Sequence, residues 1–138
     1  MFHSLDDYHR VHNLWEDVPS DVPAALDRLR GRVRMGVISN ANGTVRAKLE
    51  RVGLAGYFEL IVDSHEEGIE KPDPRIFALA LARMGVPAAE AAYVGDLYHV
   101  DVVGAAAAGL DAYLLDPFDL HRGSPAPRIR SLAELPVS

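Results

Sequence analysis

Residues 33–62 read VRMGVISNANGTVRAKLERVGLAGYFELIV, and the period of this stretch changes three times. Val33 to Ile38 is short, apolar and β-branched, the mark of a strand. Ser39-Asn40-Ala41-Asn42-Gly43 is a polar turn. Thr44 to Val52 has helical spacing and is stopped by Gly53. Phe58 to Val62 is a second apolar run. Working outward, the rhythm continues downstream. Pro74 to Met84 predicts a helix with Ile76, Phe77, Ala80, Leu81 and Met84 inward and Gly85 as its stop. Tyr93-Val94 is a brief strand running into Gly95-Asp96. Asp101 to Ala108 is a small-residue helix closed by Gly109, and Ala112 to Leu115 is a last strand. Upstream, Val22, Ala25, Leu26 and Leu29 share one helix face ahead of Gly31. Leu5, Tyr8, Val11, His12 and Trp15 share another, with Ser4 and Asp7 resembling a capping box. Strands that alternate with helices imply βα units and a parallel sheet. The strands are continuous apolar runs, as when helices cover both faces. The expectation is an α/β fold, a three-layer Rossmann-like sheet. The tail from Asp116 to Ser138 holds four prolines and a short turn of helix near Ser131 to Leu135.

The chain has 138 residues, 49% of them hydrophobic and 25% charged. That suits one folded domain, burying roughly 70% of its unfolded surface. The net charge of −6 argues against a nucleic-acid partner, which needs a clustered positive footprint. No apolar stretch approaches the roughly 20 residues that span a bilayer. Met1 to Asp7 carries two acids and no apolar signal core. Cysteine is absent, which removes disulfides and thiolate chemistry. The expectation is a soluble cytoplasmic protein with no membrane partner.

In an open parallel sheet, ligands sit beyond the carboxyl ends of the strands. The polar residues that follow the strands are Ser39 and Asn40, Asp63 and Ser64, Asp96, and Asp116; Lys71 and Asp101 lie a little further on. A hydroxyl, an ammonium and two carboxylates at one sheet edge suit a phosphate with a divalent cation. Each residue also has a plain structural reading. Ser39 could cap a helix, Lys71 could be a solvated surface lysine, and Asp96 and Asp101 could be turn and cap residues. His9 and His12 stand three apart, but two ligands do not make a metal site. His3, His65, His99 and His121 carry no further signal.

The text around these residues is informative. Val37-Ile38-Ser39-Asn40, then Glu70-Lys71-Pro72-Asp73-Pro74-Arg75-Ile76-Phe77, then Val94-Gly95-Asp96 with Asp101-Val102-Val103-Gly104-Ala105 resemble, in order, the second, third and fourth motifs of the haloacid dehalogenase (HAD) superfamily. The resemblance runs from about Val22 to Leu135 and is nearest to the phosphatase-like subgroup with a helical cap. It implies that Ser39 binds the transferring phosphoryl group, with Asn40 and Lys71 at the phosphate, and that Lys71 balances charge. It implies that Asp96 ligates Mg²⁺ and that Asp101 supports the metal directly or through water. Leu97 and Val100 depart from the usual serine and asparagine of the metal loop, which bears on the metal's outer contacts.

The family's first motif, a central strand ending in Asp-x-Asp whose first aspartate is the nucleophile, has no match. Asp6 and Asp7 are adjacent and lie in a helical pattern. Residues 1–20 resemble the remnant of a helical cap, and residues 21–138 the core domain, so the sheet is expected to lack its central first strand. The chain therefore reads as a truncated HAD-like hydrolase with little or no phosphatase activity alone. The alternative is a non-catalytic HAD-like protein that binds metal, phosphate or a partner. A receiver domain is disfavoured, because no strand bearing a phosphorylated aspartate precedes the Ser39 strand. Mg²⁺ is expected to bind weakly and a small phosphorylated molecule to be the ligand. The exposed centre of the sheet favours a homodimer, with elements exchanged. Asp6, Asp7 and Asp63 are the first candidates for a substitute carboxylate.

Overall fold

The computed structural model describes residues 2–3, 21–116, 120 and 122–135. The strands are β1 (Phe2–His3), β2 (Gly36–Ser39), β3 (Leu60–Asp63), β4 (Ala92–Gly95), β5 (Asp111–Leu115) and β6 (Arg128–Ile129). The helices are α1 (Asp21–Leu29), α2 (Val45–Arg51), α3 (Ser64–Glu67), α4 (Pro74–Met84) and α5 (Gly104–Ala107), with a π-helical turn at Tyr98–Val103 that runs into α5. The six strands form one sheet in the order β3-β2-β1-β4-β5-β6, and the pairings are parallel.

Successive strand residues point to opposite faces, and here both faces are apolar. Val37, Ile61 and Val94 join α1 and α2 in one core, through Leu26, Leu29, Val45 and Leu49. Their neighbours Ile38, Val62 and Tyr93 join α4 and α5 in the other, through Ile76, Phe77, Leu81 and Ala105. This is why the strands read as unbroken apolar runs. The helix α4 has the bounds its sequence predicts, because both ends are encoded. The Asp73 carboxylate accepts from Arg75 N, Pro74 opens the first turn, and Gly85 closes the last at φ 69°. L-residues rarely adopt that left-handed geometry, so the stop belongs to glycine.

Three features depart from the sequence expectation. Phe2–His3 occupies the place between β2 and β4 that was expected to be empty, with Phe2 level with Gly36 and Tyr93, and His3 level with Val94. The facing edges of two buried strands carry N–H and C=O groups that must be paired, and even two residues supply partners. The expected dimer with exchanged elements rested on that gap. Second, the expected helix from Asp101 begins earlier, as the π-helical turn. Third, β6 and α3 were not expected. The predicted helix from Ser4 to Trp15, and with it His9, His12, Asp6 and Asp7, lies outside the described residues; so do His121 and most of the cap remnant assigned to 1–20. Among the described residues, no helix is long and apolar enough to cross a membrane.

Candidate functional site

The carboxyl ends of β2 and β3 lie side by side, with Ser39 level with Asp63, and the parallel strand β4, one place further on beyond β1, ends at the same edge. The sheet therefore delivers Ser39, Asp63 and Asp96 to one edge. Ser39 is fully buried, and its Oγ has no hydrogen-bond partner among the described residues. A buried hydroxyl left unpaired costs about 1–3 kcal/mol.

Lys71 is 2% exposed. Its ammonium donates to Asp101 Oδ1 at 2.7 Å and to the Tyr93 hydroxyl at 3.1 Å. The plain reading of Lys71 as a solvated lysine therefore fails. The other oxygen of Asp101 accepts from Leu97 N at 3.1 Å, which folds the chain back over the π-helical turn. That closure uses the backbone of Leu97, so the family's usual serine is not needed for it. Asp101 reaches the end of β4 only because residue 95 is glycine: a Cβ there would stand 2.2 Å from Asp101 Cγ. Gly104 is similarly confined, by Phe77 and the Pro72 carbonyl at 2.8 Å.

Asn40 is half-buried beside Ser39. Its Oδ1 accepts from Lys71 N at 2.8 Å, and its Nδ2 donates to Lys71 O at 3.0 Å. Its amide thus clasps the backbone of the lysine. Asp63 accepts from Gly43 N and Val45 N through Oδ2, and from His65 N through Oδ1. A carboxylate so engaged holds the 40–44 turn and caps α3, and it is not placed to attack a phosphorus atom. Ser64 repeats the theme, accepting from Ala41 N and donating to Ala41 O. Asp116, at the end of β5, binds Arg128 at 2.9 Å and Leu120 N at 2.8 Å, a tie between β5 and the segment leading to β6. His65 and His99 are exposed, and His99 stacks edge-on against Tyr98.

The structure therefore joins Asn40, Lys71 and Asp101 in one network, with Ser39 next to Asn40 in the chain and Asp96 following β4 at the same edge. Sequence reasoning missed Tyr93. The one signal was a hydroxyl-bearing side chain inside a strand buried on both faces, where a phenol must find a partner.

A family model described as a haloacid dehalogenase-like hydrolase matches residues 2–109. The chain is 41% identical over 99 residues to the ribulose-1,5-bisphosphate 5-phosphatase of Halopiger xanaduensis; the match takes in 70% of this chain and 41% of that protein, so this chain spans less than half of that relative's length. A HAD phosphatase from Thermococcus onnurineus superposes with a TM-score of 0.80 at 29% identity, over 92% of this chain and 61% of that one. The HAD hydrolase YfnB of Bacillus subtilis, solved bound to magnesium, superposes with a TM-score of 0.79 at 25% identity, over 86% of this chain and 54% of that one.

Proposed function

The chain belongs to the haloacid dehalogenase-like hydrolase family, and on that premise we propose that it carries the phosphate- and metal-binding part of a phosphohydrolase site, with little turnover of its own. The observation that carries this reading is the buried, unbonded Ser39 Oγ beside the Asn40–Lys71 clasp. A phosphate oxygen at that point would restore the missing hydrogen bond. The Lys71 ammonium, already desolvated, would supply a charge-assisted contact. A small phosphate ester is the ligand class, in keeping with the phosphatase relatives.

Mg²⁺ takes oxygen ligands in near-octahedral geometry. The donors here are hard carboxylates, which fit, but they are few. Among the described residues, no group of three or more His, Asp or Glu is gathered closely enough to hold a metal. Asp96 would be the protein ligand, with water completing the shell. Asp101, engaged by Lys71 and Leu97 N, would act through water. The ion would offset charge on the phosphate oxygens. Affinity of about millimolar order follows from so few protein ligands.

Turnover by covalent catalysis needs an attacking carboxylate in line with the leaving oxygen. Of the described acids at this edge, Asp96 is assigned to the ion, while Asp63 is held by three backbone N–H groups, Asp101 by Lys71, and Asp116 by Arg128. Calorimetry with inorganic phosphate and Mg²⁺, beside an aryl phosphate assay, tests the reading. Phosphate binding that weakens in Ser39→Ala and Lys71→Ala, with hydrolysis near background, supports it. Absence of phosphate binding overturns the site. Turnover above about 1 s⁻¹ overturns the claim of low activity, and turnover lost in Asp96→Ala would place a substitute nucleophile in this site.

A further inference from the structure

Tyr93 has no role in the reading above, yet it touches three of the elements that build the site. Its ring is fully buried and meets Phe77 edge-on, centroids 5.0 Å apart at 89°. Packing alone would be served as well by phenylalanine. The hydroxyl is what phenylalanine lacks, and burying a hydroxyl is unfavourable unless it is bonded. Here it accepts from Lys71 Nζ at 3.1 Å and lies 3.1 Å from Ile38 O and 3.4 Å from Asp101 Oδ1, with one proton to donate between them. Ile38 is the residue before Ser39.

We propose that Tyr93 is a positioning residue whose hydroxyl, anchored on the Ile38 carbonyl, holds the Lys71 ammonium against the end of β2 where Ser39 stands. The proposal rests on Lys71 being a phosphate-binding group. A lysine side chain has four rotatable bonds, and its point charge fixes no direction by itself. Asp101 draws the ammonium toward the π-helical turn. The phenol adds an anchor tied to the strand that carries Ser39. Anchors on different elements define a position, where one defines only a distance.

The test uses Tyr93→Phe in the full chain, with Phe77→Leu as a packing control. The chain has two lysines, Lys48 and Lys71, so the Lys71 ammonium ¹H–¹⁵N signal is assigned by Lys48→Arg. Tyr93→Phe is expected to keep the circular dichroism spectrum, to lose or broaden the Lys71 ammonium signal, and to weaken inorganic phosphate binding about tenfold, the loss of one hydrogen bond to a charged group. Phe77→Leu is expected to lower the melting temperature and leave both readouts in place. The proposal is overturned if Tyr93→Phe leaves the signal intact and the affinity within twofold, or if Phe77→Leu changes both as much. A wild-type chain that takes no phosphate overturns the functional reading instead, and the ammonium signal then decides Tyr93 alone. Should Tyr93→Phe fail to fold, a nuclear Overhauser contact between the Tyr93 hydroxyl and the Lys71 ζ protons in the wild-type chain decides, and its absence sinks the proposal.

Discussion

Asn40 and Lys71, 31 residues apart in sequence, are joined by a pair of opposed hydrogen bonds, in which one side-chain amide satisfies both the N–H and the C=O of a single residue. The motif loop after β2 and the loop before α4 are thereby fixed to each other as one rigid edge.

Asn40→Ala removes both bonds. Each is worth about 0.5–1.5 kcal/mol, so a stability loss of about 1–3 kcal/mol is expected in urea unfolding. Asn40→Asp keeps the acceptor for Lys71 N and loses the donor to Lys71 O, and it should fall between. An alanine variant as stable as the parent would show that the two loops hold together without this clasp.

The Lys71–Asp101 pair is wholly buried, with both side chains at 0% exposure. Breaking a buried pair by removing one partner costs about 3–5 kcal/mol, because the other charge loses its counter-charge in the interior. Lys71→Met and Asp101→Leu should each fall in that range. The double variant should be less destabilised than the two losses added, since neither charge then remains. Strict additivity across the cycle would mean the two groups do not act on each other.

Gly95→Ala places a methyl group inside the Asp101 carboxylate. Either the π-helical turn moves or the Lys71–Asp101 bond breaks, so the variant should be destabilised by at least the cost of that bond. Gly56→Ala is the contrast, because its added Cβ meets only the end of Arg30 at 3.9 Å. It should be neutral within about 0.5 kcal/mol. Comparable melting temperatures for the two variants would contradict the crowding at Gly95.

Glu67, at the end of α3, is held below its ordinary value near 4.5, chiefly by its hydrogen bonds to Arg83 on α4. A carboxylate whose folded pKa lies below its unfolded one contributes stability that is fully present above the unfolded value. That contribution is lost as pH falls through the folded one. Glu67→Gln should therefore lower stability at neutral pH by about 0.5 kcal/mol, the scale of a surface pair. The difference from the parent should shrink below pH 4.5. A gap that persists unchanged at pH 3 would assign the loss to packing.

The strands β2 to β5 were legible because burial on both faces writes itself as uninterrupted apolar residues. The helix α4 was legible to the residue because Asp73, Pro74 and Gly85 mark both of its ends. Ser39, Lys71 and Asp101 could be singled out as candidates, since their order along the chain matches their meeting at one edge. Phe2–His3 and Arg128–Ile129 were not legible: two residues carry no period, and their pairing is decided by the strands beside them. The π-helical turn was read as plain helix because the pull of Asp101 on Leu97 N has no sequence signature. The hold of Asn40 on Lys71 was not legible either, because it depends on a meeting in space that spacing along the chain does not encode.

Phe2–His3 stands between two halves of the sheet that lie far apart in sequence, β2 with β3 on one side and β4 with β5 and β6 on the other. Amide hydrogen exchange finds the slowest protons where opening requires the whole domain to unfold. A change that loosens β1 should therefore speed exchange on the facing edges of β2 and β4 together, while the β2–β3 and β4–β5 ladders stay closed as two separately protected halves. The seam so opened runs up to the edge where Ser39 and Asp96 stand.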